Sequence, residues 1–285
     1  MTVIKYLKDE IKMNFRLSSM VVMVVMTLIS LNLYAQETES QKEKDAELVK
    51  QAQNPIANLM SFPFQNNTNF NVGPDSNRTQ NILNIQPVIP LFHGRLITRT
   101  IIPLIWNPDY TQDSGTDFGI GDIQFSAFYA PAAKGITWGI GPVISFPTGG
   151  DGFGTGKWSA GASLVALVMP GQWVVGALLN NVWSFAGEED KPDVNFFTLQ
   201  PFINYNLPES YYFTFSPIIT ANWEAPSGNQ WTVPLGLGFG KLIKVGGKLP
   251  LNLNASYYYN VVTPDGGAAS QLRIQAAVLL PTSIL

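Results

Sequence analysis

Beyond residue 60 the chain alternates between apolar and polar residues with a period of two. In 230–240, Trp231, Val233, Leu235, Leu237 and Phe239 are opposed by Gln230, Thr232, Pro234, Gly236, Gly238 and Gly240. In 249–261, Leu249, Leu251, Leu253, Ala255, Tyr257, Tyr259 and Val261 are opposed by Asn252, Asn254, Ser256 and Asn260. Side chains on a strand point alternately to the two faces, so this period predicts two-faced β-strands. About twelve such segments follow one another, near 62–72, 78–91, 95–106, 118–130, 136–146, 157–169, 172–185, 194–207, 211–224, 229–242, 248–261 and 270–281. Each is long enough for a tilted membrane-crossing strand of about 9–11 residues.

The polar face carries Asn, Gln, Ser, Thr and Gly rather than Lys and Glu. An enclosed wet lumen can use uncharged polar groups, whereas the solvent face of a soluble sandwich usually carries charge. The pattern therefore predicts an all-β fold, an antiparallel transmembrane β-barrel of about twelve strands over 61–285, with lipid outside and a polar interior. The connectors alternate too. PTGGDGFGTG and AGEEDKPD are longer or more acidic, whereas FHG, PES and KVGG are short. Outer-membrane barrels place long loops outside and short turns in the periplasm, which fixes the orientation.

Composition narrows the function. Charged residues are 13% of the 285, against 17 Phe, 10 Tyr and 7 Trp, with a net charge of -3. A usual charged share is about 25%. Nucleic-acid binding needs a basic face, and this balance argues against it. With no cysteine and a single histidine, thiol chemistry and Cys-ligated metals are excluded and few acid–base sites can be built. No cofactor and no metal site is expected.

The N-terminus carries a basic flank with Lys12 and Arg16, an apolar core from Met20 to Leu33, then Tyr34-Ala35-Gln36. That order predicts a secretory signal peptide over 1–35, with translation starting at Met1 or Met13. Residues 36–60 are charged at first and weakly helix-like up to Asn54-Pro55. They are expected to be a periplasmic leader, with a plug folded into the barrel as the alternative. The expected location is the bacterial outer membrane, with lipid and a small-molecule solute as partners.

The segments SFPFQNNTNFNVGP (61–74), LQPFINYNLP (199–208), SPIITANWEA (216–225) and WTVPLGLGFGK (231–241) resemble a family of bacterial outer-membrane barrels. Its members are labelled transporters or MetA-pathway of phenol degradation, some with the label neuromedin U. The resemblance covers roughly 52–281. It implies an outer-membrane barrel with solute transport and brings no site residues. The chain departs from many such barrels in ending on Ile284-Leu285 rather than an aromatic residue.

By strand parity the lumen is lined by Asn84, Gln86, Arg99, Asp122, Gln200, Asn204, Asn252, Asn254 and Arg273. Arg99 and Asp122 fall on adjacent strands, so an ion pair bracing the wall and a charged constriction that selects solutes are both open. Prolines interrupt many strands: Pro87, Pro103, Pro142, Pro201, Pro217 and Pro234. Proline donates no ladder hydrogen bond, so bulges or kinks are expected at each. Pro201, Pro217 and Pro234 fall at similar mid-height on successive strands, where a lateral opening for apolar solutes is the alternative to simple shaping. His93, in Phe92-His93-Gly94, reads as a turn residue. The acidic groups Asp109, Asp113, Asp117 and Glu188, Glu189, Asp190, Asp193 read as solvated loops. The expected function is passive passage of small solutes, with hydrophobic or aromatic ones as candidates, and not catalysis. A plugged or structural barrel whose outer loops bind a partner is the second reading, and an outer-membrane hydrolase the third.

Overall fold

The computed structural model describes residues 39–109, 115–131 and 135–282, so the expected signal peptide lies outside the described residues. A helix covers 39–52. The chain divides into two units after Glu47. In the first, Gln41 Nε2 donates to Asp45 Oδ1 (2.8 Å) and Lys42 pairs with Glu39 (3.3 Å). These are one-turn neighbours on an exposed helix surface, worth a few tenths of a kcal/mol (about 0.2–0.5) each.

In the second unit fifteen ladder strands form one antiparallel sheet that closes on itself with twelve wall crossings. The first wall strand is β1 (Met60–Val72). The second is β2 (Arg78–Ile85) with β3 (Val88–Leu91), the third β4 (Leu96–Pro108), and the fourth β5 (Thr116–Ile120) with β6 (Ile123–Tyr129). Then follow β7 (Thr137–Phe146), β8 (Lys157–Val168), β9 (Trp173–Gly187) and β10 (Asn195–Asn206). The ninth is β11 (Tyr211–Phe215) with β12 (Ile219–Asn222), and β13 (Trp231–Val245), β14 (Leu249–Val262) and β15 (Ser270–Leu280) complete the wall. The seam is an unbroken ladder between β1 and β15, from Met60↔Leu280 to Phe70↔Ser270. Closure leaves no sheet edge, which is what a spanning sheet needs where no water can satisfy backbone groups.

Alternation is realised as the pattern requires. On β13, Leu235, Leu237 and Phe239 are exposed on the outside while Gly238, Gly240 and Leu242 are buried. Exposed tryptophans ring both ends: Trp158, Trp183, Trp223 and Trp231 on the long-loop side, Trp138 and Trp173 on the short-turn side. Trp223 and Trp231 meet edge to face at 5.2 Å, and Trp173 lies 4.6 Å from Tyr205. Amphipathic rings at headgroup level anchor a barrel in this way.

Each proline within a strand keeps one ladder and interrupts the other. Pro103 pairs with Asn84, but toward β5 and β6 the ladder jumps from Ile101↔Gln124 to Leu104↔Ile120. Pro142 pairs with Ala162 on β8, whereas the β6 side skips from Ser126↔Val143 to Tyr129↔Ile140. Pro234 sits at a register shift against β14. Pro87 falls between β2 and β3, where Gln86 N–H donates to Pro63 O and Thr100 N–H to Pro87 O, so that break is sealed. The break at Ser216–Ile218 is different. The ladder to β10 stops at Ile203↔Phe215 and resumes at Leu199↔Ile219, and the ladder to β13 stops at Thr214↔Gly238 and resumes at Thr220↔Thr232. The same register across the first gap sets Pro201 opposite Pro217. Neither has an N–H to donate, so no ladder can form between them.

Candidate functional site: the lumen cavity

The inward face changes character along the barrel. At the short-turn end, Val88, Ile97, Phe128, Val165, Leu167, Val174, Leu178 and Phe202 are buried in one cluster with Ile56. A second cluster joins Val49 with Tyr212, Leu242, Ala277 and Leu279, against which Leu48, Ala52 and Leu59 pack. The segment 48–59, which precedes β1, therefore fills apolar space inside that end. Val49 and Ala52 lie on the last turn of the helix, and Ile56 and Leu59 reach the same end from the turns that follow Asn54-Pro55. Gln53 and Asn206 exchange two side-chain hydrogen bonds, Nε2 to Oδ1 at 2.8 Å and Nδ2 to Oε1 at 3.2 Å. Gly240 leaves room for the Tyr212 ring, which a Cβ at that position would strike. Tyr212 OH then donates to Asn252 Oδ1 (2.9 Å).

Beyond this packing lies a cavity of about 180 Å³. Its walls include Gln65, Gln86, Arg99, Gln200, Asn204, Asn252, Asn254, Tyr258, Arg273 and Gln275, and its floor Gln51 to Pro55 with Ala57 and Leu59. Seven of the nine lumen residues expected from parity thus meet in one space: Gln86, Arg99, Gln200, Asn204, Asn252, Asn254 and Arg273. Asn84 does not line it, although it is half-buried on β2.

Asp122 corrects the expected pairing with Arg99. Its carboxylate accepts from Gly149 N–H (3.0 Å), Thr155 N–H (2.7 Å) and Thr155 Oγ1 (2.7 Å), all in the 147–156 loop. The reason is the irregularity beside Pro103. Phe118 and Ile120 point outward on β5, whereas Ser126 and Phe128 point inward on β6, so the parity flips across Gly121 and Asp122. An extra residue in a strand re-aims the side chains that follow it. Asp122 holds a loop at the long-loop end instead of bracing the wall.

Arg99 Nη2 donates to Gln86 Oε1 (2.6 Å). Arg273 Nε donates to Asn67 Oδ1 (3.1 Å), Nη1 to Ser216 O (2.8 Å) and Nη2 to Gln271 Oε1 (3.1 Å). Its guanidinium also lies 4.8 Å from the centre of the Tyr258 ring. The carbonyl it caps belongs to the wall break, where the ladder offers Ser216 no partner. Among the described residues no carboxylate lines the cavity or pairs with either arginine. Amides run on from the arginine across β15, β1, β2 and β4: Gln271 Nε2 donates to Asn69 Oδ1, Asn69 Nδ2 to Gln80 Oε1, and Gln80 Nε2 to Asn107 Oδ1. Neutral amides thus carry the lumen polarity, as the composition required.

Parity on β14 also identifies Tyr258 as inward, a residue not among the nine expected. It is fully buried, and its hydroxyl has no hydrogen-bond partner among the described residues. Ser159 and Ser163, buried on the inward face of β8, likewise have unpartnered hydroxyls. His93 sits in the exposed turn after β3 with left-handed backbone (φ 58°). Of the acidic groups, Asp113 lies outside the described residues. The other loop carries Lys191 bonded to Asp151 (2.6 Å) and Lys157 3.7 Å from Asp193. Lys191 holds the Asp151 carboxyl below its ordinary value, and Asp151 raises Lys191 in return. Among the described residues no cluster of three metal-ligating side chains occurs.

A closed antiparallel barrel with an apolar outer belt, tryptophan at both ends and a polar interior is similar to solved membrane barrels. One is the NanC porin, with a TM-score of 0.52 at 9% identity, covering 77% of this chain and 98% of that one. Another is the COG4313 outer membrane channel from Pseudomonas putida F1, with a TM-score of 0.54 at 14% identity, covering 78% and 94%. The fold is that of a bacterial outer-membrane β-barrel. No family model matches the chain, and no curated protein matches it by sequence, so the resemblance to the phenol-degradation transporters reaches only as far as that fold.

Proposed function

We propose that this protein is an outer-membrane channel for passive movement of small solutes, hydrophobic or aromatic ones included, with residues 48–59 seated in its inner mouth. The observation that carries this reading is the polar cavity inside a closed barrel, lined by Arg99, Arg273 and a set of amides. A purely structural barrel gains nothing from leaving charged groups in a cavity, since desolvating them is costly. The names of the two similar structures, a porin and a channel, point the same way. No energy source is needed, because diffusion down a gradient suffices.

Ion conductance of the mature chain in a planar bilayer tests this. Discrete steps are expected, together with larger steps when residues 36–59 are removed. Silence from both inserted proteins would overturn the channel and favour the closed barrel whose outer loops meet a partner.

A second reading has an observation of its own. The double ladder break at Ser216–Ile218, with Pro201 opposite Pro217 and Pro234 at a register shift on the next strand, supports a lateral opening toward lipid. A disulfide between Gln200→Cys and Ile218→Cys, register partners across that gap, would staple it. Uptake of an apolar solute such as toluene should then fall while ion conductance persists. Unchanged uptake would remove the lateral route.

A further inference from the structure

Two arginines facing one cavity with no acidic partner call for an explanation beyond architecture. Ionisable residues inside the membrane zone are expensive and are normally paired. Arg273 uses three of its five N–H groups, on Asn67, Ser216 and Gln271. Its other contact is the Tyr258 ring, and none of these partners carries negative charge. Among the described residues Arg99 has one hydrogen bond, to Gln86, and so retains most of its donors for the cavity. Tyr258 lines the same cavity with a buried hydroxyl that no group among the described residues satisfies. Orphaned buried donors and a double positive charge are complementary to one class of ligand, an anion. Carboxylates suit them best, because guanidinium groups donate to both oxygens in parallel and such charge-assisted bonds are the strong ones.

Cavity size and lining restrict the body of that anion. The space is about 180 Å³. An apolar cavity of about 150 Å³ holds benzene, so one ring with a carboxylate fits and a disaccharide does not. Phe202, Tyr212 and Tyr258 supply ring surfaces along the wall, and Leu178 and Val88 supply aliphatic surface. We infer that the lumen cavity is a binding site for a small aromatic carboxylate, held by Arg99, Arg273 and the hydroxyl of Tyr258, with its ring against the apolar part of the wall. This rests on the channel reading for its purpose, since the site would then select the solute that passes. Its existence can be tested without transport.

The test is calorimetric titration of the intact mature chain, in detergent, with benzoate, with benzamide as the neutral shape match, and with chloride. Benzoate should bind, with benzamide and chloride weaker by about tenfold or more, the loss expected when a charge-assisted pair is removed. Arg99→Met and Tyr258→Phe should each weaken benzoate, and Arg99→Met should weaken it more than it weakens neutral benzamide, because only benzoate loses a charge-assisted bond. Arg99→Met is the decisive variant, because Arg273 also caps the wall break and its removal can disturb folding. Equal binding of benzoate and benzamide, no benzoate binding, or benzoate binding indifferent to Arg99→Met would each overturn the site. Bilayer recordings on the same preparations separate the two readings. Benzoate binding without conductance keeps the site and removes the channel, and conductance without benzoate binding does the reverse.

Discussion

The short-turn end and the middle of the lumen are enclosed by the same strands and are built on opposite principles. On β4 the buried Ile97 is followed two residues later, on the same face, by Arg99. On β15 Arg273 and Gln275 give way to Ala277 and Leu279 in the same manner. Two residues of strand are only about 7 Å, so the change from polar cavity to apolar packing is abrupt. Inward apolar side chains are stable only when something apolar covers them, and residues 48–59 supply that cover through Val49, Ala52, Ile56 and Leu59. The inward polar residues beyond need no such cover, because amides and water or a solute can satisfy them. What differs is the partner each region requires: one is completed by the chain itself, the other is open to a ligand.

Removing the chain's own partner has the most severe effect. Deleting residues 36–59 should uncover both apolar clusters and raise single-channel conductance several-fold, the largest effect expected of any change here. Conductance equal to that of the intact chain would mean that the segment does not restrict the path. A subtler form is Val49→Asp, which sets a carboxylate at a position only 1% exposed among Tyr212, Leu242 and Leu279. An unpaired charge there costs several kcal/mol (about 3 or more), enough to expel the segment while the barrel stays closed. Protease sensitivity of 48–59 with unchanged strand circular dichroism would confirm that outcome.

Much of this arrangement can be read from the chain, and the failures have definite causes. Period-two alternation places the twelve wall crossings, because a strand buried on neither face by protein must still sort lipid from lumen. The prolines announce the ladder interruptions, since a proline has no N–H to give to the neighbouring strand. Parity fails at Asp122, where the irregularity opposite Pro103 shifts the count by one and turns the side chain to a loop. Tyr258 is legible by parity on β14, yet a tyrosine between two lipid-facing tyrosines reads at first as part of the girdle. The 48–59 segment carries its signal in Val49, Ala52, Ile56 and Leu59. A pattern that short is shared by many exposed helical turns, and only the tertiary contacts show what it covers.

The middle of the lumen is next in size of effect. Arg273→Met leaves the Ser216 carbonyl without its side-chain donor, while Asn67 Oδ1 keeps the bond from Gln65 Nε2, and a buried group left unpaired costs about 1–3 kcal/mol. Thermal unfolding should therefore begin lower than in the intact chain, and anion preference in reversal-potential measurements should fall. A variant of unchanged stability would show that the wall break at Ser216–Ile218 does not depend on the arginine. Gln53→Leu is milder. It removes both hydrogen bonds to Asn206 but keeps the bulk of the segment, so a loss of about 1 kcal/mol and a modest rise in open probability are expected. Open probability unchanged would assign the retention of the segment to apolar packing alone.

The smallest effect marks the outer loops as independent of both lumen regions. Asp151 titrates below its ordinary 3.8 and Lys191 above its ordinary 10.5, each because of the other. The carboxyl's contribution is present above the ordinary Asp value and is lost as pH falls through the lowered one. The ammonium's contribution is present below the ordinary Lys value and is lost as pH rises through the raised one. The loop contact is therefore intact across the whole neutral range and yields only at the acid and alkaline extremes. A spin label at Glu189→Cys should show constant mobility between those limits and increased mobility beyond them. Asp151→Asn should raise its mobility at neutral pH and leave conductance unchanged. A change in conductance instead would tie the 147–156 and 188–194 loops to the lumen, through the Asp122 contacts that hold the first of them.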